Sequence, residues 1–246
     1  MIGVKGMRPG VAQHAAQGRR ETGSAMREGR YPDRQAAGQV LAEAVAAWLA
    51  AHPGPEPVVL ALPRGGVPVA LPVARALGAP LDLLLVRKIG SPGQPELAAG
   101  AVAEGEDGPI TVRNAEVIAA LGLSEAEFDA LRARELATIA ERRRLWLSDR
   151  PPVPVAGRTA ILVDDGLATG ATARAGVQAL RARGAGRVIL AVPVGPPDRL
   201  AALESEADAV ICPMRPAAFI AVGAHYRNFD QLADAEVRRL LDAAGD

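Results

Sequence analysis

Apolar residues in this chain follow two rhythms that alternate along its length. From Arg34 to Ala51, Val40, Leu41, Val45, Trp48 and Leu49 recur near helical spacing behind Asp33, a good cap residue, and Pro53 to Pro57 end the helix. Val58 to Leu62 is then an unbroken apolar run, the mark of a strand buried on both faces. Pro63-Arg64-Gly65-Gly66 follows, with a helix predicted from Pro68 to Leu77 and a second strand from Leu81 to Ile89. Strand, glycine turn, helix and strand form a βαβ unit, which implies parallel pairing and a right-handed crossover.

Residues 90–100 are dense in Gly, Pro and polar residues, which predicts a mobile loop. Short strands near Gly100–Ala103 and Ile110–Val112 are expected to form a hairpin, and two helices to follow. The second starts at the cap Ser124, carries Phe128, Leu131, Leu136, Ile139 and Trp146 on its apolar side, and runs to Leu147. Its acids come early and Arg142-Arg143-Arg144 late, as the helix dipole favours, so the triplet reads as a solvated helix end. Pro151, Pro152 and Pro154 stiffen a connector into the strand ending at Val163. Beyond it come a helix from Ala171 to Arg183, a strand Val188–Val192, a helix Pro197–Leu203, a strand Ala209–Cys212, irregular chain to Asp230, and a last helix capped by Asp234. The alternation predicts one three-layer α/β domain over residues 26–246 with a mostly parallel central sheet.

Composition narrows the partners. Lys+Arg and Asp+Glu are equal at 28 each in 246 residues, so no nucleic-acid footprint or anionic-membrane anchor is expected, and phosphate binding must be local. No apolar run is long enough to span a bilayer. The single Cys212 rules out an internal disulfide framework and fits a reducing, cytoplasmic compartment. Residues 1–25 are basic and glycine-rich without a continuous apolar stretch, which predicts a disordered tail or an over-extended start ahead of Met26. A homo-oligomer is left open.

The chemistry concentrates in Ile161-Leu162-Val163-Asp164-Asp165-Gly166-Leu167-Ala168-Thr169-Gly170-Ala171-Thr172. An apolar strand ends in two acids at its carboxyl edge, where open α/β sheets bind ligands. A small-residue loop then opens a helix, so backbone N–H groups and the positive helix end meet at one spot suited to a phosphate monoester. Thr169 and Thr172 add hydroxyl donors, Gly166 and Gly170 let the backbone approach, and Asp164 and Asp165 suit the hydroxyls of a vicinal diol. The order of these groups describes a sugar-phosphate site.

This segment resembles the 5-phosphoribosyl-1-pyrophosphate (PRPP) motif of the type I phosphoribosyltransferases: four apolar residues, two acids, a short loop and Thr-Gly-x-Thr. The resemblance implies that fold, with a flexible loop and a C-terminal hood at about 213–230, and implies PRPP bound through residues 164–172. It assigns pyrophosphate to Arg64, Gly65 and Gly66, and makes Arg87 and Lys88, which precede the expected loop, the catalytic cations with the acid pair. A highly charged pyrophosphate implies Mg2+, which Asp164 or Asp165 can hold through water. Glu96 and Glu104 are acids that nothing in the sequence fixes. Phe219-Ile220-Ala221-Val222-Gly223-Ala224-His225-Tyr226 is loosely similar to the end of hypoxanthine-guanine phosphoribosyltransferases, making Phe219 and Tyr226 candidates to stack on a planar acceptor, while His225 reads as a structural hydrogen-bonding residue. In 6-oxopurine enzymes of the family an Asp proposed as general base stands where this chain has Ala168, whose methyl cannot take a proton. Tyr31-Pro32-Asp33-Arg34, Leu62-Pro63-Arg64-Gly65-Gly66-Val67 and Val86-Arg87-Lys88-Ile89-Gly90 are similar to a branch of the family whose acceptor is not established. The expected activity is transfer of phosphoribose to a nitrogenous acceptor, for which a nucleobase is one candidate class, with release of pyrophosphate. The alternatives are a PRPP- or nucleotide-sensing regulator without turnover, and a phosphoribohydrolase.

Overall fold

The computed structural model describes residues 30–91, 94–105, 108–148 and 150–244. The expected tail over 1–25 and the start at Met26 lie outside them. In chain order the elements are α1 (Arg34–Ala51), β1 (Pro57–Ala61), α2 (Gly66–Leu77), β2 (Leu81–Leu83), β3 (Val86–Ser91), β4 (Gln94–Ala103), β5 (Ile110–Arg113), α3 (Ala115–Leu121) and α4 (Glu125–Trp146). They continue with β6 (Thr159–Val163), α5 (Ala171–Ala182), β7 (Arg187–Ala191), α6 (Pro197–Leu203), β8 (Ala209–Ile211), a 3-10 turn (Val222–His225) and α7 (Asp234–Asp242).

Five strands form a wholly parallel sheet in the order β2-β1-β6-β7-β8. Alternate strand residues feed two cores. Val59, Ala61, Ile161, Val163, Ile189 and Ala191 pack with α1, α2, α4 and α7, whereas Val58, Leu60, Leu162, Leu190 and Val192 pack with α5 and α6. This is why those strands read as continuous apolar runs, and it makes the three layers. From β1 the chain crosses to the β2 edge, and from β6 it crosses the other way to β7. The two neighbours therefore splay their outgoing loops, Pro63–Gly65 and Asp164–Gly170, at a topological switch point, where the carboxyl ends of the strands leave a crevice.

The second sheet departs from expectation. Leu81–Ile89 is not one strand: β2 ends at Leu83, and β3 turns away to pair antiparallel with β4, so the two pieces serve different sheets. The stretch expected as a mobile loop is mostly strand, since β4 runs from Gln94 to Ala103 and pairs with β3 on one side and β5 on the other. Pairing overrides its weak strand propensity. Pro92 and Gly93 lie outside the described residues. Below this sheet α4 buries Phe128, Ile139 and Trp146, with the Ser124 and Glu127 capping box in place. Asp234, expected to cap the last helix, is its first helical residue behind Ala233, and its Oδ1 instead accepts from Trp146 Nε1 at 2.9 Å.

Candidate active site

The loop after β6 is built as its sequence reads. Gly170 sits at φ +79°, a left-handed conformation that a side chain resists, and it starts α5 there. Thr169 Oγ1 accepts weakly from Ala171 N–H at 3.4 Å. Asp164 and residues 166–173 line a cavity of about 140 Å3, room for a compact anion facing the amide-rich end of a three-turn helix. Ala168, Thr169, Ala171 and Thr172 are exposed, while Leu167 is buried as the loop's anchor, its N–H bonded to Val194 O.

The acid pair is held from several sides. Asp164 Oδ1 accepts the Asp165 N–H at 2.9 Å, and Asp165 Oδ2 accepts from Arg34 Nε at 2.8 Å. Burial and the charge of its neighbour push the Asp164 carboxyl well above the usual carboxylate range, and burial raises Asp165 less because Arg34 opposes it. Arg34 also lies over the Phe229 ring, 3.8 Å from its centroid, and donates to Asp230 O at 2.9 Å. The loop after β1 comes up against this pair. A Cβ on Gly65 would stand 2.0 Å from Asp165 Oδ2, so only glycine allows the two loops to meet. The Pro63–Arg64 peptide there is cis.

Arg64, expected as a pyrophosphate ligand, donates to Leu232 O at 2.9 Å and lies 3.7 Å from Asp234. The strand period separates Arg87 from Lys88, which the sequence leaves equivalent. Arg87 faces α4, donating from Nε to Glu135 at 2.6 Å, and lines a cleft with Pro63 and Thr172. Lys88 lines a cavity of about 540 Å3 on the α5 side, beside Ala171, Arg174 and Gln178. Glu104 is not free for a metal or acceptor, because it pairs with Arg143 in a half-buried setting that raises its carboxyl. The side chain of Glu96 lies outside the described part of the structure.

The hood differs from expectation in one respect. Tyr226 does not offer its ring to a base: it is buried against Tyr31 and Phe229, and its hydroxyl donates to the Asp165 carbonyl at 2.5 Å. Phe219 is half-buried and stacks on His225, ring centroids 5.4 Å apart. His225 Nε2 is buried without a hydrogen-bond partner among the described residues. Val222 carries the hood onto the phosphate loop, since a Cβ on Gly166 would meet its Cγ1 at 2.5 Å.

The family described as "Phosphoribosyl transferase domain" matches residues 30–227. The chain belongs to the phosphoribosyltransferase family. Its phosphoribosyltransferase fold is similar to that of TT1426 from Thermus thermophilus, at a TM-score of 0.77 and 40% identity over 86% of this chain and 97% of that one. It is also 49% identical over 214 residues to "Putative phosphoribosyl transferase Rv0571c" of Mycobacterium tuberculosis, covering 87% of this chain and 47% of the relative. The chain thus spans about half the length of the curated relatives it matches.

Sequence reasoning on this member of the phosphoribosyltransferase family missed the amino-terminal part of the site. Tyr31 pairs its backbone with the hood, donating to His225 O and accepting from Arg227 N–H, and its hydroxyl reaches Pro193 O at 3.0 Å. Arg34 and Tyr226 together brace Asp165 through its carboxylate and its carbonyl. The one available signal was the Tyr-Pro-Asp-Arg motif itself, too polar at its end for a core helix. Among the described residues no three His, Cys, Asp or Glu side chains gather to hold a metal, and none of their helices is long and apolar enough to cross a membrane. Two adjacent carboxylates whose charged forms are disfavoured by burial suit a cation that arrives with a substrate's own oxygens.

Proposed function

We propose that the chain binds PRPP with Mg2+ and transfers phosphoribose to a nitrogenous small molecule, releasing pyrophosphate. The observation that carries this reading is the meeting of the loops after β1 and β6, with Gly65 against Asp165 at the switch point of the sheet. The 5′-phosphate sits in the cavity over Gly166 to Thr172, held by backbone N–H groups and the two threonines. Asp164 and Asp165 accept from the ribose hydroxyls, and Arg34 orients Asp165 while favouring its ionised form. The amide of Gly65, with Arg64, faces the pyrophosphate, while the Gly66 N–H is taken by Leu62 O and holds the turn. Asp164 and Asp165 would hold Mg2+ through water, and the ion would supply charge neutralisation to the leaving group.

In this reaction the bond from the anomeric carbon to the pyrophosphate oxygen breaks and a bond to the acceptor nitrogen forms, through a transition state with oxocarbenium character. The residues contribute position and charge: the phosphate loop fixes one end of the sugar, the β1 loop the other, and Arg87 and Lys88 on the β3–β4 hairpin offset charge leaving with pyrophosphate. Ala168 takes no proton, so this chain has no equivalent base at that position. Phe219 remains the candidate acceptor contact on the hood.

The test is calorimetry with PRPP and Mg2+, followed by measurement of pyrophosphate release across purines, pyrimidines and nicotinate-like acids. Saturable PRPP binding with acceptor-dependent pyrophosphate release is expected. Tight binding with no turnover on any acceptor assigns the chain to sensing instead, and release with water alone assigns it to hydrolysis.

A further inference from the structure

The Arg142-Arg143-Arg144 triplet near the end of α4 does not behave as three solvated cations. Arg143 is tied to Glu104 and to Arg150 O, and only Arg144 is exposed without a partner among the described residues. Arg142 is half-buried, yet among the described residues it makes no hydrogen bond and no ion pair; its one neighbour of note is the Trp146 ring, 5.6 Å away. Other arginines around the site have oxygen partners, Arg34 on Asp165, Arg64 on Leu232 O and Arg87 on Glu135. The Arg142 nitrogens are not sealed from solvent, so its donors stay open toward a ligand.

We propose that Arg142 binds the pyrophosphate end of the donor, closing over it from α4 opposite the loop after β1. This rests on the donor reading above and extends it to a helix outside the parallel sheet. Arg142 lines one narrow cleft with Pro63 of the β1 loop, Arg87 of β3 and Thr172 at the end of the loop after β6, so three of the segments assigned to the donor border the same opening, whose remaining lining is apolar. Burial first, and then the positive charges of Arg87 and Arg64, hold the Arg142 pKa below the ordinary range, and Asp234 and Glu135 only partly offset them. Two cations from two segments, Arg87 and Arg142, line the cleft; Glu135 takes Arg87, and no acid among the described residues pairs with Arg142. The cleft measures about 30 Å3, room for one or two waters. It admits phosphoryl oxygens at its mouth but no planar ring, which selects the leaving group over the acceptor. A guanidinium presents its donors as a flat fork that matches two phosphate oxygens, a geometry lysine lacks.

The test compares wild type, Arg142→Gln and Arg142→Lys by calorimetry with three probes in Mg2+: PRPP, inorganic pyrophosphate and ribose 5-phosphate. Arg142→Gln should weaken PRPP and pyrophosphate about tenfold or more, the usual loss for a hydrogen bond to a charged group, and leave ribose 5-phosphate within about twofold. Arg142→Lys should fall between, and thermal midpoints should stay near wild type because only the contact with the Trp146 ring is lost. Unchanged pyrophosphate affinity in Arg142→Gln, or equal losses on all three probes, overturns the inference alone. If wild type binds none of the three, the donor reading fails and takes this inference with it. Should Arg142→Gln not fold, Arg142→Lys decides: pyrophosphate affinity equal to wild type, with ribose 5-phosphate also unchanged, refutes the special role of the fork.

Discussion

The parallel sheet and the small antiparallel sheet both lend residues to the proposed donor site, but they are built to different standards of rigidity. Every residue of β6 is buried, and its neighbours β1 and β7 are buried at all but their first residue, with helices on both faces. β5 has no fully buried residue, and β3 buries only Ile89 and Ser91. The groups proposed to grip the sugar phosphate therefore stand on the part least able to move, whereas Arg87 and Lys88 stand on a thinner sheet whose local opening costs less free energy. Binding and charge neutralisation are thus separable by site of mutation, which gives the comparison its tests.

The largest effect belongs to the junction of the two loops. Gly65→Ala places a methyl within the space of the Asp165 carboxylate, and PRPP binding should be lost by calorimetry while the protein still unfolds cooperatively. Measurable affinity near wild type would mean that the loops do not close on one ligand. Next, on the small sheet, Lys88→Ala should lower turnover about 100-fold, the scale of one lost transition-state donor, with PRPP affinity changed by less than about threefold. An equal fall in affinity would erase the division between the sheets. Asp165→Asn removes charge without changing size and frees Arg34; PRPP affinity should drop by about 1–3 kcal/mol, again read by calorimetry.

The smallest effect runs the other way. Because the Asp164 carboxyl holds its proton above the ordinary aspartate range, the folded chain binds more protons than the unfolded one over that interval. The contribution of Asp164 to the stability of the unliganded protein should then be greatest on the acid side and decline as pH rises from the ordinary aspartate value through the raised one. Asp164→Asn removes the buried charge, so at neutral pH it should raise the thermal midpoint by about 2–4 °C, as ~1 kcal/mol does for a domain of this size, and flatten that decline. A lower midpoint in the unliganded variant would show the anion to be well solvated where it stands. Hydrogen exchange offers a last discriminator: amides of β3 to β5 should exchange before those of β1, β6 and β7.

The same contrast explains what could be read in advance. β1, β6, β7, α1 and α6 fall at or within a residue of their expected limits, because continuous apolar runs bounded by Pro or Gly have one economical solution. The segment 94–103 has no such signature, and only its partners on either side make it a strand. Within the site the phosphate loop was legible because its ligands are neighbours in sequence. Arg34 and Asp165 are 131 residues apart, and neither residue type nor spacing links them. Tyr226 shows the limit from the other side: an aromatic residue in a hood reads as a base stacker until its hydroxyl is found on the Asp165 carbonyl.

The order of residues along the chain by itself determined the layers, the parallel sheet and the phosphate loop, since each depends on periodicity and on groups a few positions apart. Tertiary structure alone decided which of Arg87 and Lys88 faces α4, which arginine braces the acid pair, and which arginine of the triplet takes an acid. Those outcomes depend on which surfaces meet across the crevice, and distant segments are brought together there by burial of the two cores, a cooperative result that no local pattern encodes.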